Sequence, residues 1–517
     1  MRSNPYQEAN LRRGALHYLL GRGAAGLAGL LTVVLLVRCM DLRNYAVYTA
    51  LSGLVSVCGV MAGMGMERIL ARYTPEGRLY HSAADLGRFI WTCSGARLLA
   101  ISLIALMVYL GWPLLDRWLA PSEAKLFSLA LALFIVGETM FQHFTSVLQA
   151  LAQQSLLTRL LVIQWGGRLL LIGAMMAAYG QIDWTQAFWC FAIPEVSGVL
   201  AFAFCIGRLL QALAAEPHPV VDGAWPEWGK MVGVGLHNFG YTLLAAPPQG
   251  YFMKVVTAAY LPLDIVAAYG FFVSVAEKAR QYIPLHFFYG MLEPVLVAAY
   301  LKDRDFSTLS RHCALLYKSN LLMMVPAIVC VAVAGDPLVD VAAGGKFHGL
   351  SWILLLLLVQ LTSGSHVLLL QLILNSVERS KILLQCSLIA LPVMLAAMAV
   401  AAYTVPLALP FTPILFSLTM NFAIVRQLAR HQYPYHILSW MMLAGIICCG
   451  GVAYAVVKGL LLASPYALSS LTTVVLATLA VGLVYVISLW CSRTIDAGEV
   501  QLIKSLFSNK RTTKAGV

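Results

Sequence analysis

Charge is what this sequence has least of. Only 11% of its 517 residues are Asp, Glu, Lys or Arg, against 60% hydrophobic residues and a mean hydropathy of +0.79. A soluble domain carries about 25% charged residues, so a soluble fold is excluded and the chain is expected to be an all-α integral membrane protein. Acidic residues are the scarcer sign, 23 Asp and Glu against 35 Lys and Arg, for a net charge of +12. In a soluble chain that balance would suggest nucleic acid. Here the basic residues fall in short loops and the C-terminal tail, where membrane topology accounts for them, and no nucleic-acid partner is expected.

Metal-binding cysteine spacings are also missing. The 11 cysteines include the neighbours Cys448 and Cys449 but no CxxC or Cys/His pattern, and most lie in apolar runs as small core residues. No GxxxxGK[ST] loop is present, since Gly344, Gly345 and Lys346 have neither the spacing nor a following Ser or Thr. The chain is therefore not itself an ATPase. Long outer loops rich in carboxylates, His or Ser are absent as well, which argues against a membrane glycosyltransferase or polymerase. No catalytic residue, metal or cofactor is expected, and transport is the default reading.

Apolar run length is what the chain has in abundance. Crossing ~30 Å of hydrocarbon takes about 20 residues of helix, and runs of that length lie near 15–38, 45–66, 89–111, 126–148, 158–180 and 184–208. A polar stretch with Glu216, Pro217, Pro219, Asp222 and Pro226 separates these from runs near 231–256, 264–290, 314–338, 350–374, 382–404 and 405–428, and two more follow near 436–461 and 466–491. The expected architecture has about 14 transmembrane helices. Residues 1–208 would form a six-helix N-lobe, 209–230 a cytoplasmic linker, 231–430 a six-helix C-lobe, 431–491 two additional helices, and 492–517 a basic cytoplasmic tail. Arg12 and Arg13 precede the first run without a small-residue cleavage site, so that run reads as an uncleaved span. Counted from a cytoplasmic start, the even loops and tail collect Arg68, Arg72, Arg78, Arg88, Arg208, Lys302, Arg304, Arg311, Arg379, Lys381, Arg426, Arg430, Lys504, Lys510, Arg511 and Lys514. That bias puts both termini in the cytoplasm.

Ionisable residues inside spans are costly, and each is a functional hypothesis with a structural alternative. The basic ones are Arg22, Arg97, Arg168, Lys278 and Arg280; the acidic ones are Glu138, Glu195 and Glu277. In the fourth span Glu138, Gln142, Thr145 and Gln149 recur on one helix face. Such a stripe lines a water-filled cavity or else hydrogen-bonds a neighbouring helix. Gln164 and Arg168 share a face of the fifth span beside Trp165, with Arg168 ~15 Å from either end, too deep to snorkel. Arg22 and Arg97 lie only ~10–12 Å from the cytoplasmic ends of their spans, and snorkelling is their alternative.

Glu195 follows Pro194, which suits either a kinked, moving wall or a buried carboxylate paired with Arg97 or Arg168. Glu277 and Arg280 can pair at i, i+3, leaving Lys278 without a partner in its own helix. The preceding span, carrying His237, Asn238 and Tyr241, is interrupted by Pro247 and Pro248, and a broken helix beside a charged one marks the binding wall in many transporters. Single histidines (His143, His237, His286, His366) are proton-relay or structural residues. Five bases against three acids leave two excess positive charges in the interior. An anionic ligand fits that balance, phosphate through the arginine fork, with Gln142, Gln149, Gln164 and a stackable Trp165 for sugar.

The opening LLVRCMDLRNYAVYTALSGL and GVMAGMGMERILARYTPEG segments resemble the start of oligosaccharide flippases of the multidrug/oligosaccharidyl-lipid/polysaccharide (MOP) exporter superfamily, and SVLQALAQQSLLTRLL and LILNSVERSKILLQCSL are similar to its cytoplasmic turns. The six, six and two pattern extends the resemblance over nearly the whole chain. It implies two six-helix lobes around a central cavity, alternating access, and a Wzx-like polysaccharide transporter. The implied substrate is an undecaprenyl-diphosphate-linked oligosaccharide repeat unit, flipped from the cytoplasmic to the periplasmic leaflet of a bacterial inner membrane. The implied partners are a polysaccharide polymerase and chain-length or export proteins. Arg22, Arg97, Arg168, Lys278 and Arg280 would meet the diphosphate, and Gln142, Gln149 and Gln164 the sugar. Glu138, Glu195 and Glu277 would couple or gate, with a proton or sodium gradient as the possible drive. Lipid II flippases share the superfamily, but their first span usually carries an Arg-Gly-Asp cluster where this chain has Gly21-Arg22-Gly23-Ala24. A multidrug cation antiporter would have twelve spans and an acidic cavity, and a glycan polymerase would need the missing catalytic loops.

Overall fold

Inside lipid every backbone N–H and C=O must be satisfied within its own segment or a closed barrel, so long apolar runs fold as helices. The computed structural model describes residues 8–114, 124–215, 227–287, 296, 300, 304–377, 379, 381–435, 440–463, 469–492 and 494, without the side chains of 8–20, Arg22, 124–128, Val234, His237 and Trp440. The middle of the expected linker and nearly all of the expected tail lie outside the described residues.

The described helices are α1 (Glu8–Cys39), α2 (Leu42–Met61), α3 (Met66–Tyr80), α4 (Ala83–Leu110), α5 (Ala124–Ala150), α6 (Gln154–Tyr179), α7 (Trp184–Ala215), α8 (Trp228–Leu244), α9 (Gly250–Tyr260), α10 (Leu263–Arg280), α11 (Phe306–Ala343), α12 (Ser351–Ser376), α13 (Lys381–Thr404), α14 (Thr412–Arg430), α15 (Trp440–Ala463) and α16 (Ser470–Cys491), with a 3-10 turn at Pro406–Phe411. No strand occurs among the described residues. Eleven of the helical segments are long and apolar enough to cross a membrane, and the chain is an all-α integral membrane protein. The three other expected spans correspond to α1, to the α8–α9 pair and to α10, whose 18 residues include Asp264, Glu277, Lys278 and Arg280.

Local chemistry explains the boundaries. The expected span over 231–256 is two helices of 17 and 11 residues, because Pro247 and Pro248 cannot continue the hydrogen-bond ladder. The 3-10 turn at Pro406–Phe411 separates α13 from α14. In α11 the ladder is disturbed at Ala334 (φ −130°, ψ 28°), one residue after the carbonyl that the ring of Pro337 obstructs. Side-chain caps start α2 (Asp41, accepting from the Asn44 amide at 2.6 Å) and α4 (Ser82, accepting from the Asp85 amide at 3.1 Å).

The chain divides into two compact units, Met1–Lys278 with Ser387–Phe416, and Ala279–Cys386 with Ser417–Val517. In the first, α1 packs along α6, α5 along α7 and α4, and α9 against α2. Phe134, Phe188 and Phe191 cluster with Tyr48 at centroid separations of 5.4–5.8 Å. One element was not expected: residues 66–80, read as part of a basic loop, form the amphipathic α3, which buries Ile69, Leu70 and Tyr73 and packs on α4, α5 and α8. In the second unit α11 is the hub, packing on α12, α15 and α16 around Val329, Val333, Ala453 and Val481. Large apolar side chains such as Leu99 (63% exposed), Leu170 (75%) and Phe204 (69%) point outward. In water that surface would aggregate; against lipid tails it is the expected one.

Candidate functional site

Arg168 sits 3% exposed on α6, between a carboxylate from α5 and another from α7. Its Nη2 donates to Glu138 Oε2 at 2.9 Å and also contacts Glu195 Oε1. Glu195 is fully buried, and Gln164 Nε2 donates to the same Oε1. Glu138 keeps a quarter of its side chain exposed, and its Oε1 accepts from Gln142 Nε2 at 2.8 Å. The guanidinium lies 4.3 Å from the Trp165 ring centroid and 4.9 Å from that of Phe191, distances at which ring quadrupoles favour a cation.

Two close approaches make this possible. A Cβ on Gly137 would fall 2.8 Å from Glu195 Cβ, so only glycine lets α5 come this near α7. On α1, a Cβ at Gly29 would meet Lys278 Cε at 2.9 Å, Lys278 Nζ at 3.0 Å and Trp165 at 3.3 Å. Lys278 Nζ accordingly reaches over Trp165, 3.9 Å from its ring centroid, and interacts electrostatically with Arg168, Glu277, Glu138 and Lys254.

A second group lies beside the helix break. Lys254 on α9 is 7% exposed and donates from Nζ to Ser274 Oγ on α10 at 3.1 Å. Glu277 Oε1 lies 3.0 Å from where a Cβ on Gly250 would be, which aims its carboxylate at the start of α9.

Arg168, Glu138, Glu195, Gln142, Gln164 and Lys278 are thus brought together, and Glu277 lies near Lys278. Arg97 is elsewhere: it is 1% exposed on α4 and its Nη2 reaches Glu67 Oε1 on α3 at 3.3 Å, so Glu195 pairs with Arg168 and not with Arg97. Arg280 is exposed in the last turn of α10 and forms no ion pair among the described residues, so the expected i, i+3 pairing of Glu277 is not made. Gln149 is exposed at the end of the α5 stripe. The side chains of Arg22 and His237 lie outside the described residues.

The expected excess of two positive charges is corrected accordingly. Among the described residues the cluster around Trp165 and Ser274 holds Arg168, Lys254 and Lys278 against Glu138, Glu195 and Glu277, three against three. Trp165, expected to be open for sugar stacking, is already faced by two cations. Pro194 does not break α7, which runs helical past it, with Ser197 Oγ donating to the Ile193 and Pro194 carbonyls. His143 is buried and shares a 2.9 Å hydrogen bond with Ser94 Oγ; the half-buried His286 shares one of 3.1 Å with Ser365 Oγ.

Sequence reasoning missed Lys254, Glu67 and Tyr48. Lys254 lay at the edge of an apolar run; restarting the helix at Gly250 after the two prolines would have placed it inside α9. Glu67 would have come from the Ile69, Leu70, Tyr73, Gly77 periodicity of α3. Tyr48, which interacts with both Arg168 and Glu138, carries no signal in an apolar run.

No known protein-family profile and no curated protein sequence matches this chain. Its fold does match solved structures. A lipid II flippase, MurJ, in an inward closed conformation superposes with a TM-score of 0.67 over 91% of this chain and 97% of its own, at 13% identity. The Vibrio cholerae MATE transporter VcmN in its bent form gives 0.53 over 82% and 97%, at 16% identity. A multidrug resistance MATE transporter of the MOP superfamily, inward-facing, gives 0.53 over 81% and 98%, at 12% identity. The chain is thus an integral membrane protein with the fold of MOP-superfamily transporters.

Proposed function

We propose that this chain is a flippase for undecaprenyl-diphosphate-linked oligosaccharide repeat units, moving them from the cytoplasmic to the periplasmic leaflet of a bacterial inner membrane by alternating access. The observation that carries this reading is Arg168: a guanidinium near the middle of its span, with Lys278 gathered beside it on Trp165, in a fold shared with a lipid flippase. A lipid diphosphate needs a cationic contact at membrane depth, polar lining for its sugars and no covalent chemistry. Arg168 and Lys278 would meet the diphosphate, and Gln142 and Gln149, on the exposed face of α5, would meet sugar hydroxyls. Glu138, Glu195 and Glu277 would gate. Two six-helix lobes with two further helices, both termini in the cytoplasm, and a polymerase with chain-length proteins as partners complete the proposal.

The second reading is a lipid II flippase, favoured by the extent of the likeness to MurJ and disfavoured by Gly21-Arg22-Gly23-Ala24 in place of an Arg-Gly-Asp cluster. Complementation separates the two. The gene is expressed in a strain lacking its repeat-unit flippase and in one depleted of lipid II flippase. We expect polymer export restored in the first and no rescue of the second; rescue of the second alone would replace the proposal with its alternative.

A further inference from the structure

We propose that Glu138 is a built-in placeholder that occupies the phosphate position on Arg168 and is displaced when an anionic lipid headgroup binds. This rests on the anionic-lipid reading above and says which side chain must move for it.

The fork of Arg168 is used unevenly. Both carboxylates crowd onto Nη2, while Nε is buried and has no hydrogen-bond partner among the described residues. Side-on binding of two phosphate oxygens takes Nε together with the neighbouring terminal nitrogen. One of those donors is thus unpaired and the other is held by carboxylate.

The two carboxylates are not equally free to leave. Glu195 is fully buried, tied by Gln164, and backed by the α5–α7 approach at Gly137. Glu138 is a quarter exposed, on the helix face that continues through the exposed Gln142 and Gln149. Gln142 already holds its other oxygen at 2.8 Å and can retain it once Arg168 lets go. Charge favours the exchange as well. Among the described residues Arg168, Lys254 and Lys278 against Glu138, Glu195 and Glu277 sum to zero at rest; with Glu138 withdrawn the group is positive by one and receives phosphate. With no substrate present, the carboxylate spares the protein an uncompensated buried cation.

The test is direct binding of farnesyl diphosphate to the purified full-length protein in detergent, read by tryptophan fluorescence or calorimetry, with farnesol as the uncharged control. A competitor's removal strengthens binding, so Glu138→Gln is expected to bind farnesyl diphosphate about tenfold tighter than wild type, ~1.4 kcal/mol, with farnesol unchanged. Glu138→Asp, which keeps the charge but draws the carboxylate back from Nη2, is expected to tighten binding by a smaller factor, and it covers the case in which Gln at this position unfolds the protein. Unchanged or weaker binding in the folded variants overturns the placeholder. Wild type that binds farnesyl diphosphate no better than farnesol overturns the anionic-lipid reading instead.

Discussion

Removing the Arg168 charge separates what the cluster does for stability from what it does for transport. Glu195 is fully buried and its described partners are Arg168 and Gln164, so Arg168→Met leaves a carboxylate with one neutral donor in a medium that rejects charge. Truncating one member of a buried ion pair costs about 3–5 kcal/mol, a large share of a typical folding free energy of roughly 5–15 kcal/mol. Glu138 adds less, because it is a quarter exposed and keeps its hydrogen bond from Gln142 when Arg168 is gone. Methionine keeps most of the apolar stem that packs on Trp165 and Phe191, so the loss isolates the charge. The double variant Arg168→Met/Glu195→Gln removes both buried charges, and most of the lost stability should return. Thermal melting in detergent is therefore expected to rank wild type first, the double variant close behind and the single variant well below. In the complementation strain both variants should fail to export polymer, because the phosphate contact is gone from each. Recovery of export in the double variant would refute a binding role for Arg168, and melting of the single variant at the wild-type temperature would refute the energetic argument.

Gly29→Ala should leave the melting temperature near wild type, since the added methyl meets chiefly the flexible end of Lys278, touches the Trp165 ring edge only at 3.3 Å, and alanine is the better helix former by about 1 kcal/mol. Farnesyl diphosphate binding should nonetheless weaken about threefold to tenfold as Lys278 is pushed off Trp165, and unchanged affinity would show that their apposition is not used. Arg97 and Glu67 should be asymmetric: Glu67→Ala strands a buried guanidinium whose Nε and Nη1 already have no hydrogen-bond partner among the described residues, whereas Arg97→Met removes that charge. Thermal melting should therefore find Glu67→Ala the more damaging, and the reverse order would sink the assignment of α3 as the helix that neutralises Arg97.

Most of the helical architecture was legible because its cause is local. A long apolar run in lipid has no alternative to helix, and Pro247, Pro248 and Pro406 marked two of the breaks in advance. The amphipathic α3 was not legible by the same rule. Its mean composition is polar, and only the spacing of Ile69, Leu70 and Tyr73 reveals the face that packs on its neighbours.

The site was legible as an inventory and not as a set of pairs. Periodicity put Glu138 and Gln142 on one face, and Gln164 and Arg168 on another, because each pair lies on a single helix. Which carboxylate meets which arginine depends on how closely α5, α6 and α7 approach, and that is decided at Gly137, a residue with no charge to draw attention. A count of interior charges therefore overstates the positive excess. Folding leaves buried cations beside anions wherever it can, since an unpaired one is too costly to keep. A binding site for an anion inside a membrane is consequently expected to look neutral when empty, and its signature is a cation whose carboxylate partner is half free to leave. Arg168 with Glu138 has that signature, with a second cation, Lys278, gathered beside it on Trp165.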